Sequence, residues 1–544
     1  MTYSVPSLGR TVTFGHDLSG KRSSLKVGAN PAQTYTWDRN GRLESITAPS
    51  GATATFTRDD GGRVTAKSLP NNVSLSQTWD AFGRLLRMHY THPATGTLED
   101  FRYTYDENSN RISETALSGQ SFYAYDGRNQ LVRADYPGGS HEEFGYDLAG
   151  NRFLYAHEKG GFKTVRESQY SPSDRLVHDS ARKQHDPPQF EPCPSPNENE
   201  LCSVGVEQLL GHDYLYDGNG NQTEIREIDP FTGAVTGTTE YTWSAKDQLT
   251  QVTYPDGGFS VYAYFPDSPL RRLHVKKDGE ATAFLWDAVT QNPLEDIEVG
   301  TGATRATHQH GMAMDSLLAS SKAVGTRAYV VDPLNSVRAL VNGTGGTPNR
   351  YSNFAYGEAR SDLEGEENRF RFTGRDWDGD AGNQFNRWRY YRPDVGRWTA
   401  LDPLSLGDAG SSGALEYYYR HRWYDPAMAQ FNRLGPIGFE AGINQYLYVM
   451  ANPISSVDPE GLETFQECYL SCWETYLVNC FTAMGLATWG VWYKGGCLKP
   501  VWMLIGADVC LVTNAICVGE CMLRFNGPRD PPGAPSSNGP QGGP

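Results

Sequence analysis

A short aromatic pattern returns along this chain at a fixed step, and no other feature constrains its fold as tightly. Tyr35-Thr-Trp-Asp38-Arg-Asn-Gly41-Arg42-Leu43 recurs as Phe56-Thr-Arg-Asp59-Asp-Gly-Gly62-Arg63-Val64 and as Trp79-Asp80-Ala-Phe-Gly83-Arg84-Leu85, each time 21 residues on. Looser copies follow at Tyr103-Thr-Tyr-Asp106, Tyr123-Ala-Tyr-Asp126, Phe144-Gly-Tyr-Asp147, Tyr214-Leu-Tyr-Asp217, Tyr241-Thr-Trp-Ser244, Tyr262-Ala-Tyr-Phe265 and Phe284-Leu-Trp-Asp287. Two aromatics one residue apart share a strand face, and the Thr or Ala between them takes the other. Asp, two residues, then Gly makes a tight turn: the carboxylate caps its own backbone and Gly supplies the positive φ. The Arg that follows opens the return strand and pairs back to the Asp. One hairpin is marginal in water, so such units must stack on their neighbours. The chain is therefore read as mainly β, with repeats over residues 1–325.

A length of 544 residues implies several domains, and 58 Gly with 31 Tyr and 12 Trp suits short strands joined by tight turns. The net charge of -16 speaks against a nucleic-acid partner, which needs a basic footprint. Met1-Thr-Tyr-Ser-Val-Pro has neither the basic start nor the apolar run of a signal peptide. The chain is read as the C-terminal part of a larger system or a truncated copy, made in the bacterial cytoplasm and placed outside by a non-classical route.

From 180 to 209 the repeat is broken by a Pro-rich stretch carrying Cys193 and Cys202, which either close a small disulfide loop outside the cell or do nothing. His308 and His310 share one strand face, and two imidazoles without a carboxylate read as a solvated edge rather than a metal site. No metal or cofactor is expected.

The most informative stretch lies at 386–462. Asn386-Arg-Trp-Arg-Tyr-Tyr-Arg-Pro-Asp-Val-Gly-Arg-Trp, then Leu401-Asp402-Pro403-Leu404, is answered by Tyr419-Arg-His-Arg-Trp-Tyr-Asp-Pro-Ala-Met-Ala-Gln-Phe, then Leu434-Gly435-Pro436-Ile437-Gly438. Asn444-Gln-Tyr-Leu-Tyr-Val-Met-Ala-Asn-Pro and Val457-Asp458-Pro459-Glu460-Gly461-Leu462 close the region. Together with Tyr329-Val-Val-Asp332-Pro and Phe370-Arg-Phe-Thr373-Gly374-Arg375, these residues resemble the Rhs-associated core of the bacterial Rhs/YD-repeat family. The resemblance implies a core over 326–462 with an internal duplication. It also implies that the repeats wind a spiral forming part of a hollow shell around a C-terminal cargo.

The resemblance further implies an aspartyl autoprotease acting on its own chain. Two carboxylates close together share one proton, because like charges a few ångströms apart cannot both ionise. Asp458 matches the second Asp of that pair, and Leu462-Glu463 matches the cut bond. The first Asp falls on Gly435, so the dyad position is missing there; Asp402, in the upstream copy, is the candidate replacement. Asp425 is another nearby carboxylate, and Arg433 is the candidate orienting group. The bland alternative is an inherited turn motif in which Asp458 merely caps a strand.

Beyond Leu462 the chain turns Cys-rich and Trp-rich. Cys468, Cys472 and Cys480 are mirrored by Cys510, Cys517 and Cys521. That spacing fits a helical hairpin over 463–526 stapled as Cys468–Cys521, Cys472–Cys517 and Cys480–Cys510, leaving Cys497 odd. A core-packed hairpin is favoured over membrane insertion. Residues 527–544 are disordered by composition.

The functional expectation is a shell protein that encapsulates a short C-terminal effector and releases it by self-cleavage, in bacterial competition or secretion. Its partners are its own C-terminal segment, a cognate immunity protein and a secretion apparatus. Two rival readings stand beside it. One is a non-enzymatic cell-surface module recognising carbohydrate or a membrane; the other is a degenerate, displaced tip with no active effector.

Overall fold

The computed structural model describes residues 2–5, 8–185, 189–192, 201–204, 206–266 and 268–401, together with 417–419, 422–425, 430–431 and 454. All of them belong to the first of two units, Met1–Asn432 with Gly442–Glu463. Among the described residues there is no α-helix. One 31-stranded sheet runs from Thr2–Val5 to Ala359–Glu364, every strand antiparallel to the next in sequence. This continuous meander is the mainly β spiral wall expected from the repeat.

Each turn is built as its residue order dictates. At Asp38 the amides of Asn40 and Arg42 donate to Oδ1 at 2.9 and 2.8 Å, and Arg42 Nε donates to Oδ2 at 2.8 Å. Gly41 closes the turn at φ 76°, its amide 2.9 Å from the Asp38 carbonyl. Asp59–Arg63 and Asp80–Arg84 repeat the pairing at 2.8 and 2.7 Å. Later units replace Arg with Asn, whose amide bridges two successive turns. Asn151 Nδ2 donates to Asp147 and to Asp174, both at 2.8 Å, and Asn221 does the same to Asp217 and Asp247.

A second periodic bond was not legible in the spacing. The second aromatic of each unit donates to the carbonyl that opens the previous return strand: Trp37 to Arg22 at 2.8 Å, Trp79 to Val64 at 2.9 Å, Tyr146 to Leu131 at 2.8 Å, and Trp286 to Arg271 at 2.7 Å. Where the pattern reads Arg58 instead of an aromatic, its guanidinium donates to the Leu43 carbonyl. A β-bulge beside each turn, as between Thr36 and Trp37, frees that carbonyl from the ladder and makes the contact possible.

The sheet doubles back on itself. Val12, Ile46, Val73 and Phe101 of the early strands share one hydrophobic cluster with Leu285, Val330 and Val341 of the late ones. Burying each such side chain contributes about 1.5–3 kcal/mol, so this shared core holds the early and late strands together. Polar ties fix its register: Asn71 Nδ2 donates to the carbonyls of Thr326 and Val341 at 2.7 and 2.8 Å, and Tyr90 OH to that of Val331 at 3.0 Å.

Two readings of the wall change. His308 and His310 do share a face, but both are buried against Phe370 rather than on a solvated edge. His308 Nε2 lies 3.0 Å from the Asp296 carboxylate and Nδ1 2.7 Å from Ser320 Oγ. The pattern misled because the strand that covers them arrives from beyond residue 368. The wall ladder also continues through Leu176–His185 and resumes at Glu207–Tyr216. Between them Gln189–Pro192 and Leu201–Val204 pair as a separate ribbon that carries Cys202. Cys193 lies outside the described residues.

Candidate functional site

After the wall, the chain folds into a four-stranded sheet: Asp376–Asp378, Asn383–Asn386, Arg389–Arg392 and Arg397–Trp398. Its central hairpin turns over Arg387-Trp388, with Arg387 at φ 61°. This sheet contains the first of the two copies read from the sequence. It is seated in the wall through a buried network of charges.

Arg271, 1 % exposed, pairs with Asp376 and lies over the Phe385 ring at 4.6 Å. Asp376 also holds Arg369 at 2.9 Å, and Arg369 holds Asp296 at 2.8 Å. Asp378 accepts a hydrogen bond from Tyr262 and lies 3.2 Å from His274. Burial pushes the Asp378 carboxyl upward, but His274, Tyr262 and the Arg271 charge outweigh it and hold it at about 2. Asp315 receives Arg375 at 2.7 Å and Arg387 at 2.9 Å. Arg152 donates to the Asp394 carbonyl at 3.2 Å, and Arg397 donates to Asn151. Charges buried this deeply are costly unless paired, so this set admits one docking geometry and penalises others.

The aromatic contacts repeat that specificity. Tyr390 OH meets Tyr264 OH at 3.0 Å, Tyr391 OH donates to the Tyr356 carbonyl at 2.9 Å, and the Arg389 guanidinium stacks on Trp398 at 4.1 Å. Gly396 has φ 65°, and a Cβ there would meet the Tyr356 ring at 2.8 Å.

The segment leading to Asp402 is tied down. The Gln222 amide donates to the Thr399 carbonyl at 2.9 Å, the Thr399 amide donates to the Tyr390 carbonyl at 2.9 Å, and Ala400 and Leu401 are buried. Trp398 and Ile454 fall in one hydrophobic cluster with Tyr356 and Phe372. They stand four residues before Asp402 and Asp458 respectively. Asp402, Asp458, Leu462, Glu463, Arg433 and Gly435 themselves lie outside the described residues, as do Cys468, Cys472, Cys480, Cys510, Cys517, Cys521 and the expected helical hairpin. No group suited to a metal ion is present among the described residues.

The backbone register of the first copy occurs again in the second. In the second copy, strands Tyr417–Tyr419, Arg422–Asp425 and Gln430–Phe431 form their own sheet. Asn386↔Arg389, Phe385↔Tyr390 and Gln384↔Tyr391 reappear as Tyr419↔Arg422, Tyr418↔Trp423 and Tyr417↔Tyr424. Tyr391↔Trp398 reappears as Tyr424↔Phe431. Every partnership is displaced by the same 33 positions.

A teneurin YD-shell family model matches residues 7–190, and an RHS repeat model matches residues 216–258. Both matches, and the relatives that follow, support the Rhs/YD-repeat family. It is 26 % identical over 338 residues to the tRNA3(Ser)-specific nuclease WapA of Bacillus spizizenii, a match covering 61 % of this chain and 11 % of that protein. Against the double-stranded DNA deaminase toxin A of Burkholderia cenocepacia it is 24 % identical over 362 residues, covering 60 % of this chain and 23 % of that one. The chain thus spans a tenth to a quarter of these relatives. Its fold resembles that of the Tc holotoxin pore of Photorhabdus luminescens with a variant TccC3, at a TM-score of 0.54 and 16 % identity, over 83 % of this chain and 21 % of that one.

Proposed function

We propose that this protein is a shell component of a bacterial toxin system, that it carries residues 463–544 as an effector segment, and that it frees them by cutting its own chain after Leu462. Asp402 and Asp458 form the carboxylate pair. One is ionised and takes a proton from water; the other is protonated and polarises the Leu462 carbonyl. Water adds across the Leu462–Glu463 bond, leaving a carboxylate on Leu462 and an amine on Glu463. Because the bond belongs to the same chain, proximity replaces substrate binding. Arg433 orients one carboxylate.

The observation that carries this reading is the shared cluster of Trp398 and Ile454. Four residues of chain reach at most about 14 Å, so two short tethers start from one buried place and lead to the two carboxylates. Gly435, standing where the family pattern has Asp, leaves Asp402 as the partner of Asp458. Toxin-type relatives support an effector at the C-terminus, with a cognate immunity protein and a secretion apparatus as partners and the outside of the cell as destination. Expression of residues 463–544 alone tests the cargo. Growth arrest by the segment, in cytoplasm or periplasm, with no arrest by the whole chain carrying Asp458→Asn, supports the reading. Equal growth in every case contradicts it and favours the displaced-tip alternative.

A further inference from the structure

The sheet that holds the first copy occupies a defined seat in the wall, and the chain carries a second segment with the same backbone register. We infer that the second copy, Tyr417–Phe431, is an alternative occupant of that seat, so that the duplication makes a two-position device. With the first copy seated, the residues that follow are Leu401-Asp402. With the second seated, the residues in the same place are Leu434-Gly435. Seat occupancy then decides whether a carboxylate or a glycine is offered to the closing motif. This last step rests on the self-cleavage reading; the exchange itself does not.

Many seat residues have a like residue 33 positions on. Arg387, which reaches the buried Asp315, becomes Arg420; Arg389 becomes Arg422; Tyr391, whose hydroxyl reaches the Tyr356 carbonyl, becomes Tyr424. Trp398 becomes Phe431 and Tyr390 becomes Trp423, so the hairpin keeps these rings and the two cations at its turn, while Arg392 becomes Asp425. The outer part does not. Arg397, donor to Asn151, becomes Gln430, and Asp394, partner of Arg392, becomes Ala427. Gly396 becomes Ala429, at a place where φ is positive and a Cβ would meet the Tyr356 ring at 2.8 Å. The second copy therefore fits the seat and fits it less well. The first copy holds the seat in the ground state, and the second takes it when the first is weakened.

Backbone proximity gives a direct test in the full chain. The Gln222 amide bonds the Thr399 carbonyl at 2.9 Å, close enough for an engineered disulfide. The place equivalent to Thr399 in the second copy is Asn432. Gln222→Cys is combined with Thr399→Cys or with Asn432→Cys, and bridges are mapped by peptide mass spectrometry after oxidation. The native seat should give the 222–399 bridge and little or none at 222–432. Tyr391→Asp, which puts a charge at a fully buried position, should suppress the first and raise the second several-fold. Excision of residues 384–416 should leave only the second copy and give the 222–432 bridge. Failure of that bridge to form in both variants overturns the inference, whether or not the wall survives. Bridge exchange without any self-cleavage would keep the two-position seat and discard the cleavage reading.

Discussion

The Arg271 site gives the most demanding prediction, because wall and seat meet there in one buried charge set. Arg271→Met keeps most of the side-chain volume and removes the guanidinium that pairs with Asp376. Breaking a buried pair by removing one partner costs roughly 3–5 kcal/mol, since the other charge stays behind. Asp376 keeps Arg369 at 2.9 Å, which places the loss at the lower end, about 3 kcal/mol. Asp376→Asn should cost a similar amount, because Arg271 is then stranded among Tyr262, Phe284 and Phe385. The double variant strands neither charge and should cost less than the two singles together by about 2 kcal/mol, well outside the additivity of independent sites. Pulse proteolysis across a urea series reads the wall's stability and avoids assuming that the whole chain unfolds in one step. If the single losses add to within about 0.5 kcal/mol, the two residues are not coupled and the seat is not held as described.

Other expectations are smaller. Tyr264→Phe removes the donor to the Leu249 carbonyl and the contact with Tyr390, and should lower stability by about 1–2 kcal/mol in the same assay, while Phe259→Ser on the exposed side of that hairpin should change it by less than about 0.5 kcal/mol. Gly357→Ala, at φ 98° with the new Cβ pressed into the Phe372 ring, should cost about 2 kcal/mol or more, read as a lower urea midpoint. Glu142 is buried and accepts bonds from Tyr136 and the Ala355 amide; burial is the main cause that raises its carboxyl above the usual range. Its folded-state pKa exceeds the unfolded one, so its contribution is fully present at acidic pH and falls as pH rises through the folded value. Glu142→Gln should therefore flatten that fall and raise the urea midpoint at neutral pH, with little change in acid.

The wall was legible because its rules are local. Asp38, Gly41 and Arg42 lie within five residues, and the turn chemistry of those residue types fixes the hairpin whatever else the chain does. The family resemblance supplied the spiral, which no single unit dictates. The fate of His308 was not legible, because Phe370 covers it from a distant part of the chain and Asp296 meets it only through the register of the neighbouring strand. The clamp between units was also hidden: Trp286 and Arg271 are 15 residues apart, and the Arg271 carbonyl lies beside the bulge between Ala263 and Tyr264. At the candidate site, the described strands of the two copies read from 386–431 share one register. What sequence left out was the seat: the partners Asp315, Arg271, Tyr262 and Asn151 lie in wall strands and turns, and nothing in the repeat pattern marks them as partners of the core.

In the proposed cleavage, Asp402, delivered by the seated first copy, works with Asp458 on the bond after Leu462. Intact-mass measurement of the purified chain tests it most directly. The account predicts two species, Met1–Leu462 and Glu463–Pro544, with a single uncut mass when Asp402→Asn or Asp458→Asn is introduced. A native chain that stays at its full mass, or an Asp402→Asn chain that is cut as well as the native one, would contradict it.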